Sequence, residues 1–191
     1  MIGVYSYSRS GTFYLTALLN RNFTRKHPVA RFAGHEQWTS TIGPDRAIYI
    51  VRNPVDCLHS CWRCWYQNET LDAYAVRAVR RWKQHVEPWC DAVYWVRYED
   101  LLADLPGTLA PLADRFGLQA VAEWQDFEDP IGFRPGEAAQ RTPAPRDGGR
   151  YLRHFAAETL EAFRDTLGDR FVGYDLSEMV MERRRLCESC V

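Results

Sequence analysis

The sequence predicts an α/β protein in three layers, with helices on both faces of a central parallel sheet. Short apolar segments rich in β-branched and aromatic residues alternate with longer segments of helical periodicity. The segment 47–51, AIYIV, is apolar throughout, which is typical of a strand covered on both faces. The chain has 191 residues, enough for a substantial core. We therefore expect residues 1–191 to form a single domain.

The expected strands follow the apolar segments, and the expected helices lie between them. Strands are predicted over residues 2–6, 29–33, 47–51 and 92–96. Helices are predicted over residues 12–22, 55–66, 71–88, 106–117 and 156–167. Pro54 and Pro106 stand at two of the helix starts, where the fixed φ and the missing N–H of proline are tolerated. Residues 119–150 are rich in Pro, Gly and charge and show little periodicity, which predicts a long lid loop.

Composition and charge exclude several classes of partner. The formal net charge is −1, so no overall basic field would attract nucleic acid or an acidic membrane. No apolar run approaches the roughly 18 residues of a membrane-spanning helix. The N-terminal residues lack the plan of a signal peptide, and we expect a cytoplasmic protein. The sequence gives no indication of the oligomeric state.

Six cysteines are present, and a reducing compartment would keep them as free thiols. Cys57, Cys61 and Cys64 have the spacing C-x3-C-x2-C, which also occurs in the iron–sulfur ligand set of radical S-adenosylmethionine enzymes. The same spacing places the three thiols on one face of a helix, where buried cysteines pack without metal. We expect no metal, with a cluster as the alternative.

The stretch VYSYSRSGT, residues 4–12, ends a predicted strand and runs directly into a predicted helix. Its polar part brings backbone N–H groups, hydroxyls and the Arg9 guanidinium to a helix N-terminus. This combination suits an anion, most often a phosphate. Helix capping by Ser10 or Thr12 is the simpler alternative, but a cap does not require Arg9.

Two further segments contain basic residues in similar positions. Arg52 ends the predicted strand 47–51, and Ser60 follows eight residues later inside the next helix. In RDGGRYLRHF, residues 146–155, Arg146 precedes two glycines that would let the backbone approach a ligand closely. Taken singly, the first is better explained as a surface arginine with an exposed helical serine, and the second as an ordinary turn.

Together, the segments resemble the sulfotransferases that use 3′-phosphoadenosine-5′-phosphosulfate (PAPS). YSRSGTFY, residues 7–14, is similar to the family's 5′-phosphosulfate loop, written YPKSGTTW or YPRSGNTW. Arg52 and Ser60 match its 3′-phosphate motif. The segment 96–118 resembles the strand and helix around an adenine-contacting tyrosine, here Tyr98, and GGRYLRHF resembles a late G-x-W-x-x-H-F signature. The resemblance runs from residue 3 to about residue 175.

This resemblance implies a P-loop-like phosphosulfate-binding loop, PAPS as cosubstrate, adenosine 3′,5′-bisphosphate (PAP) as product, and no metal. The implied cofactor-binding residues are Arg9, Ser10, Gly11, Thr12, Phe13, Tyr14, Arg52, Ser60, Tyr98, Arg146, Gly148 and Gly149. The implied catalytic residues are Arg9, which would stabilise charge, and His35, which occupies the position of the histidine in the family's K-T-H. The chain departs from the family pattern at Ser8 in place of Pro, at Tyr14 and Tyr151 in place of Trp, and in a shorter stretch at 146–149.

Aromatic residues that could line an apolar acceptor pocket predict a small or lipidic hydroxylated acceptor. The candidates are Trp38, Trp65, Phe127 and Phe133. Two other functions remain open at this point, a P-loop nucleotide kinase and a non-catalytic nucleotide-binding module. The kinase pattern requires a lysine after the last loop glycine and a glycine five residues before it, whereas this chain has Thr12 and Ser6 there.

Overall fold

A computed structural model describes residues 1–24, 27–126 and 151–188. The strands in this part of the chain are β1 (Ile2–Ser6), β2 (Ala30–Gly34), β3 (Ala47–Val51), β4 (Tyr94–Arg97), β5 (Arg170–Phe171) and β6 (Tyr174–Asp175). The α-helices are α1 (Thr12–Asn22), α2 (Pro54–Trp65), α3 (Leu71–Ala92), α4 (Tyr98–Ala103), α5 (Leu105–Phe116), α6 (Ala157–Leu167) and α7 (Leu176–Glu188). None of these helices combines the length and the apolar character that crossing a membrane requires.

The central sheet has the strand order β2-β1-β3-β4, and each neighbouring pair is parallel. The predicted α/β class with a parallel sheet is confirmed. Strands β5 and β6 pair separately as an antiparallel hairpin. Because the four parallel strands point the same way, the segments that leave their carboxyl ends all start at one edge of the sheet.

Helices cover both faces of this sheet. On β3, Tyr49 belongs to a core that includes residues of α2, α3, α6 and α7, whereas Ile48 and Ile50 belong to a second core with α1 and α5. All five residues of β3 are buried. Alternating side chains of one strand therefore enter two different cores, which confirms the three-layer arrangement.

The predicted limits of β1, α1 and β3 agree with the structure residue for residue. Helix α3 is longer than predicted and continues past Pro88 to Ala92, because Trp89, one residue further on, is fully buried against the sheet. Strand β4 consequently begins two residues later than expected. Helices α4 and α7 and the β5–β6 hairpin were not predicted.

The hairpin supports the turn that follows β3. The Tyr174 hydroxyl donates to Oε2 of Glu99 at 2.7 Å, and the Asn53 N–H donates to Oε1 of the same carboxylate at 3.0 Å. Burial raises the pKa of Glu99. This carboxylate therefore joins the C-terminal hairpin to the turn between β3 and α2.

The described part of the predicted lid packs against the end of α1. The Val121 N–H donates to the Asn22 carbonyl at 3.0 Å, and the Asn22 side-chain amide donates to the Gln125 carbonyl at 2.7 Å. Trp124 lies edge-on to Phe23. Residues 119–126 are therefore held against α1. The remainder of the predicted lid, with Phe127 and Phe133, lies outside the described residues.

Candidate functional site

The residues implied by the motifs follow the carboxyl ends of all four parallel strands. The loop 7–11 follows β1, and His35 comes directly after β2. Arg52 comes directly after β3, and Tyr98 begins α4 immediately after β4. This edge is where open parallel sheets place their ligands.

The loop between β1 and α1 has a left-handed backbone at two positions. Arg9 has a φ of 67°, which is unusual for a residue with a side chain, and Gly11 has a φ of 92°. A Cβ atom on Gly11 would lie 2.5 Å from Cδ2 of Tyr98. Gly11 is the N-cap of α1 and has no side chain to cap the helix, and a helix N-terminus of this kind suits an anion.

Arg9 connects the loop to both elements of the second motif. Its Nε donates to the Ser60 hydroxyl at 3.0 Å. The Arg9 carbonyl accepts a hydrogen bond from Nη1 of Arg52 at 3.1 Å. The loop and the second motif are distant in sequence, and these two bonds bring them into one site.

Arg52 is a charged group in a largely enclosed position. Its guanidinium lies 5.0 Å from the centre of the Tyr98 ring. Burial works against its charged form, but the Asp56 carboxyl, with smaller contributions from Tyr98 and Glu99, outweighs burial and raises the pKa of Arg52. Its Nε is buried and has no hydrogen-bond partner among the described residues. A buried donor of this kind suits an anionic ligand.

The two aromatic residues that follow Gly11 and Thr12 lie in different surroundings. Tyr14 is edge-on to Tyr98 at 5.9 Å, and its hydroxyl donates to Asp126 at 2.7 Å. Phe13 instead stacks on Phe32 at 4.5 Å. The edge of Phe32 in turn meets the His35 ring at 5.5 Å. Phe13 and His35 therefore both contact Phe32, whereas Tyr14 contacts Tyr98.

His35 is exposed, and one of its ring nitrogens is fixed by the end of β1. A register shift between β1 and β2 at Val4/Tyr5 stands just before it, and such irregularities redirect side chains. Nδ1 of His35 lies 2.9 Å from the Ser6 carbonyl oxygen. A carbonyl oxygen can only accept, so in the neutral ring Nδ1 bears the hydrogen and Nε2 keeps a lone pair.

Ser6 is a site residue that the sequence did not indicate. Its hydroxyl forms a short hydrogen bond with the Thr12 hydroxyl and lies 3.2 Å from Nδ1 of His35. It therefore lies between the start of α1 and the histidine. A buried serine at the end of a strand gives no distinguishing signal in a single sequence. His85 was not among the sequence candidates either, yet its Nε2 lies 3.1 Å from the His35 carbonyl oxygen.

The cysteine cluster differs from expectation at one position. Cys57 and Cys61 are buried, and both thiols donate to the Ser8 carbonyl, at 3.2 Å and 3.5 Å. Cys64 is exposed, because α2 leaves the core as it ends at Trp65. Among the described residues, no three His, Cys, Asp or Glu side chains are placed to hold one metal ion. Cys190 and the side chain of Cys187 lie outside the described part.

Several other residues near the implied site are packed, exposed, or outside the described residues. His59 is buried and stacks on Tyr151 at 4.0 Å. Trp38, a predicted acceptor contact, packs edge-on against Trp89 at 5.3 Å, and Trp65 is 56% exposed. Arg146, Gly148 and Gly149 lie outside the described residues.

By architecture, the chain is a three-layer α/β protein with a candidate anion site at the carboxyl edge of its parallel sheet. No protein-family model matches the chain, and no curated protein matches it. Among solved structures, 39 chains match. One is mouse sulfotransferase SULT7A1 complexed with PAP, which is 20% identical with a TM-score of 0.49. The match covers 64% of this chain and 60% of the mouse protein, less than two thirds of that protein's length.

Proposed function

We propose that this chain is a sulfotransferase that moves a sulfuryl group from PAPS to a hydroxyl or amine of a small or lipidic acceptor. The observation that carries the proposal is the hydrogen bond from Arg9 to the Ser60 hydroxyl at 3.0 Å. It joins the two segments that resemble the 5′-phosphosulfate and 3′-phosphate motifs. A ligand with two anionic groups would meet both segments at once.

The residues of the site fit such a ligand. The N-terminus of α1 would bind one anion, and the buried Nε of Arg52 would donate to another. The rings of Tyr98 and Tyr14 contact each other and would supply aromatic surface for the adenine ring. Arg146, Gly148 and Gly149 belong to the proposed cofactor site through the resemblance alone.

In the proposed reaction, this chain contributes positioning, charge and a base. When bound, PAPS supplies the sulfuryl group and leaves as PAP. Arg9 stabilises negative charge and remains protonated throughout, since a guanidinium does not release its proton at neutral pH. His35 accepts the acceptor's proton at Nε2, the nitrogen left unprotonated by the contact with Ser6. The proposed scheme uses no metal ion.

The surroundings of His35 favour an acceptor with an apolar body. Phe13 and Phe32 stack on each other beside it, and each is 38% exposed. An exposed aromatic pair next to a proposed base suits a hydroxylated molecule that covers the rings. A net charge of −1 gives no general attraction for a polyanionic acceptor.

Calorimetric titration and turnover test the proposal together. We expect tight binding of PAP, weak binding of adenosine 5′-phosphate, and transfer of radiolabelled sulfate from PAPS to a hydroxylated acceptor in a cell extract. Stabilisation by Mg-ATP without binding of PAP would indicate the kinase instead. Binding of PAP without transfer to any acceptor would indicate a non-catalytic nucleotide-binding module.

A further inference from the structure

We propose that His85 is a positioning residue for His35, and that a buried chain of hydrogen bonds through Tyr49 and His85 holds the backbone of His35 against the loop 7–11 (the anion loop). This inference rests on the proposed function, since it assigns the placement of the proposed base. His85 lies on α3, outside every segment that resembles a sulfotransferase motif.

The chain of hydrogen bonds has one consistent direction. The Tyr7 N–H donates to the Tyr49 hydroxyl oxygen at 2.9 Å. The Tyr49 hydroxyl is 3.0 Å from Nδ1 of His85, and Nε2 of His85 is 3.1 Å from the His35 carbonyl oxygen. A backbone N–H can only donate and a carbonyl can only accept. The hydroxyl of Tyr49 therefore donates to Nδ1, and Nε2 of His85 bears the hydrogen.

A neutral histidine is suited to this position because it has one donor and one acceptor. Burial is the main cause that lowers the pKa of His85, which keeps the ring neutral. His85 is 4% exposed and Tyr49 is fully buried, so water cannot easily replace a lost partner. A buried polar group left without a partner is destabilising, which makes this chain sensitive to small changes.

A second side chain of α3 strengthens the same attachment. Trp89 lies one turn after His85, on the same face of the helix. Its Nε1 donates to the Glu36 carbonyl at 2.9 Å. The carbonyls of His35 and Glu36 are thus both held by α3. The ring of His35 is exposed, so its position depends on these backbone contacts and on its own contact with Ser6.

The chain of hydrogen bonds through Tyr49 and His85, the link, reaches the anion loop at its first residue. Tyr7 directly follows β1, and two residues later Arg9 contacts Ser60. The edge of the Tyr7 ring also meets the His85 ring at 5.4 Å. A small displacement of a reacting group can reduce a rate about 100-fold. Loss of the link should therefore lower turnover more than it lowers cofactor affinity.

Two substitutions of His85 separate hydrogen bonding from packing. The side chain of His85→Gln reaches as far as Nε2 and can still donate to the His35 carbonyl. The side chain of His85→Asn reaches only as far as Nδ1 and cannot. Val86→Ala is the matched control, because Val86 is a fully buried neighbour on α3 whose side chain has no polar atom that could join this chain of hydrogen bonds.

We expect His85→Asn to lower kcat by about tenfold or more, with the KM for PAPS and the affinity for PAP unchanged. His85→Gln should keep kcat within about threefold of wild type. Val86→Ala should lower the melting temperature without lowering kcat. Equal kcat values for His85→Asn and wild type would overturn the proposal, as would equal losses in the Asn and Gln variants.

A measurement on the ligand-free protein tests the same placement without turnover. The side-chain ¹⁵N shifts of His35 report which ring nitrogen bears the hydrogen. We expect Nδ1–H in wild type and in His85→Gln, and a mixture of tautomers in His85→Asn. An unchanged His35 tautomer in His85→Asn would contradict the proposal. If wild type transfers no sulfuryl group at all, the proposed function fails, and these shifts alone decide whether His85 positions His35.

Discussion

Arg9 and Ser60 stand 51 residues apart in the chain, yet the Arg9 guanidinium donates to the Ser60 hydroxyl over 3.0 Å. The sheet explains this proximity. Arg9 follows β1, Ser60 lies in the helix that follows β3, and the two strands are neighbours in parallel pairing. The parallel pairing of β1 and β3 thus brings the two segments to the same edge of the sheet.

Gly11→Ala should prevent the binding of PAP and destabilise the protein. The new Cβ would meet the Tyr98 ring at 2.5 Å, on a backbone with a φ of 92°. The strain alone is worth about 1–3 kcal/mol. Gly43→Ala is the control, since a Cβ there has no atom within 4 Å. Thermal unfolding and PAP titration compare the two, and wild-type affinity in Gly11→Ala would show that the loop does not hold the ligand.

Arg52→Lys should reduce the affinity for PAP about 10- to 100-fold, because a charge-assisted contact is worth about 1.5–3 kcal/mol and lysine lacks the planar fork. Adenosine 5′-phosphate, which lacks the 3′ group, should bind both proteins alike. Arg77→Lys, an exposed arginine paired with Glu69, is the control and should change neither affinity. If calorimetry finds equal PAP affinity for Arg52→Lys and wild type, Arg52 is only a structural partner of Asp56.

His35→Ala should lower turnover by about 10²–10⁴ and leave the affinity for PAP nearly unchanged. The reason is that Nε2 of His35 is the proposed proton acceptor, whereas the proposed anion contacts are made by Arg9 and Arg52. His27→Ala removes another exposed histidine and should have no effect. Steady-state kinetics and PAP titration give both quantities. Full turnover in His35→Ala would remove this residue from the mechanism.

The free energy of unfolding should fall as the pH drops below the ordinary histidine pKa of 6.5. The pKa of His85 is lowered in the folded state, chiefly by burial, among the neighbouring side chains of Tyr7, Tyr49 and His35. Below pH 6.5 the unfolded chain therefore binds a proton that the folded chain does not. This contribution is present above pH 6.5 and is lost as the pH falls through the folded pKa. When denaturant titrations are repeated at several pH values, the free energy of unfolding should fall less steeply with falling pH in His85→Gln than in wild type. An identical dependence on pH in the two proteins would contradict the prediction.

Local patterns were sufficient to predict the elements that carry the anion loop. The signals that define these elements are local: apolar residues form β1 and β3, and Pro54 starts α2. The predicted limits of β1 and β3 accordingly agree with the structure. Once parallel pairing is expected, residues that follow different strands are expected at one edge. The convergence of Arg9, Arg52 and Tyr98 could therefore be predicted without coordinates.

The surroundings of these residues could not be predicted in the same way. A buried histidine such as His85 has the same pattern in sequence whether it only packs or also holds a distant carbonyl. The extension of α3 past Pro88 depends on the burial of Trp89 against Tyr5 and Tyr49, which is a tertiary effect. The exposure of Cys64 depends on where α2 leaves the core. Each of these features is decided by residues far away in the chain.

The contact between Tyr174 and Glu99 has a consequence for biosynthesis. The turn after β3, which carries Arg52, is supported through Glu99 by a hairpin near the C-terminal end of the described chain. During translation, the four parallel strands emerge from the ribosome well before Tyr174 does. We expect nascent chains to pair these strands first and to acquire affinity for PAP only after the hairpin has emerged. Stalled nascent chains of increasing length would gain PAP binding in one step, after residue 174 and not after residue 97.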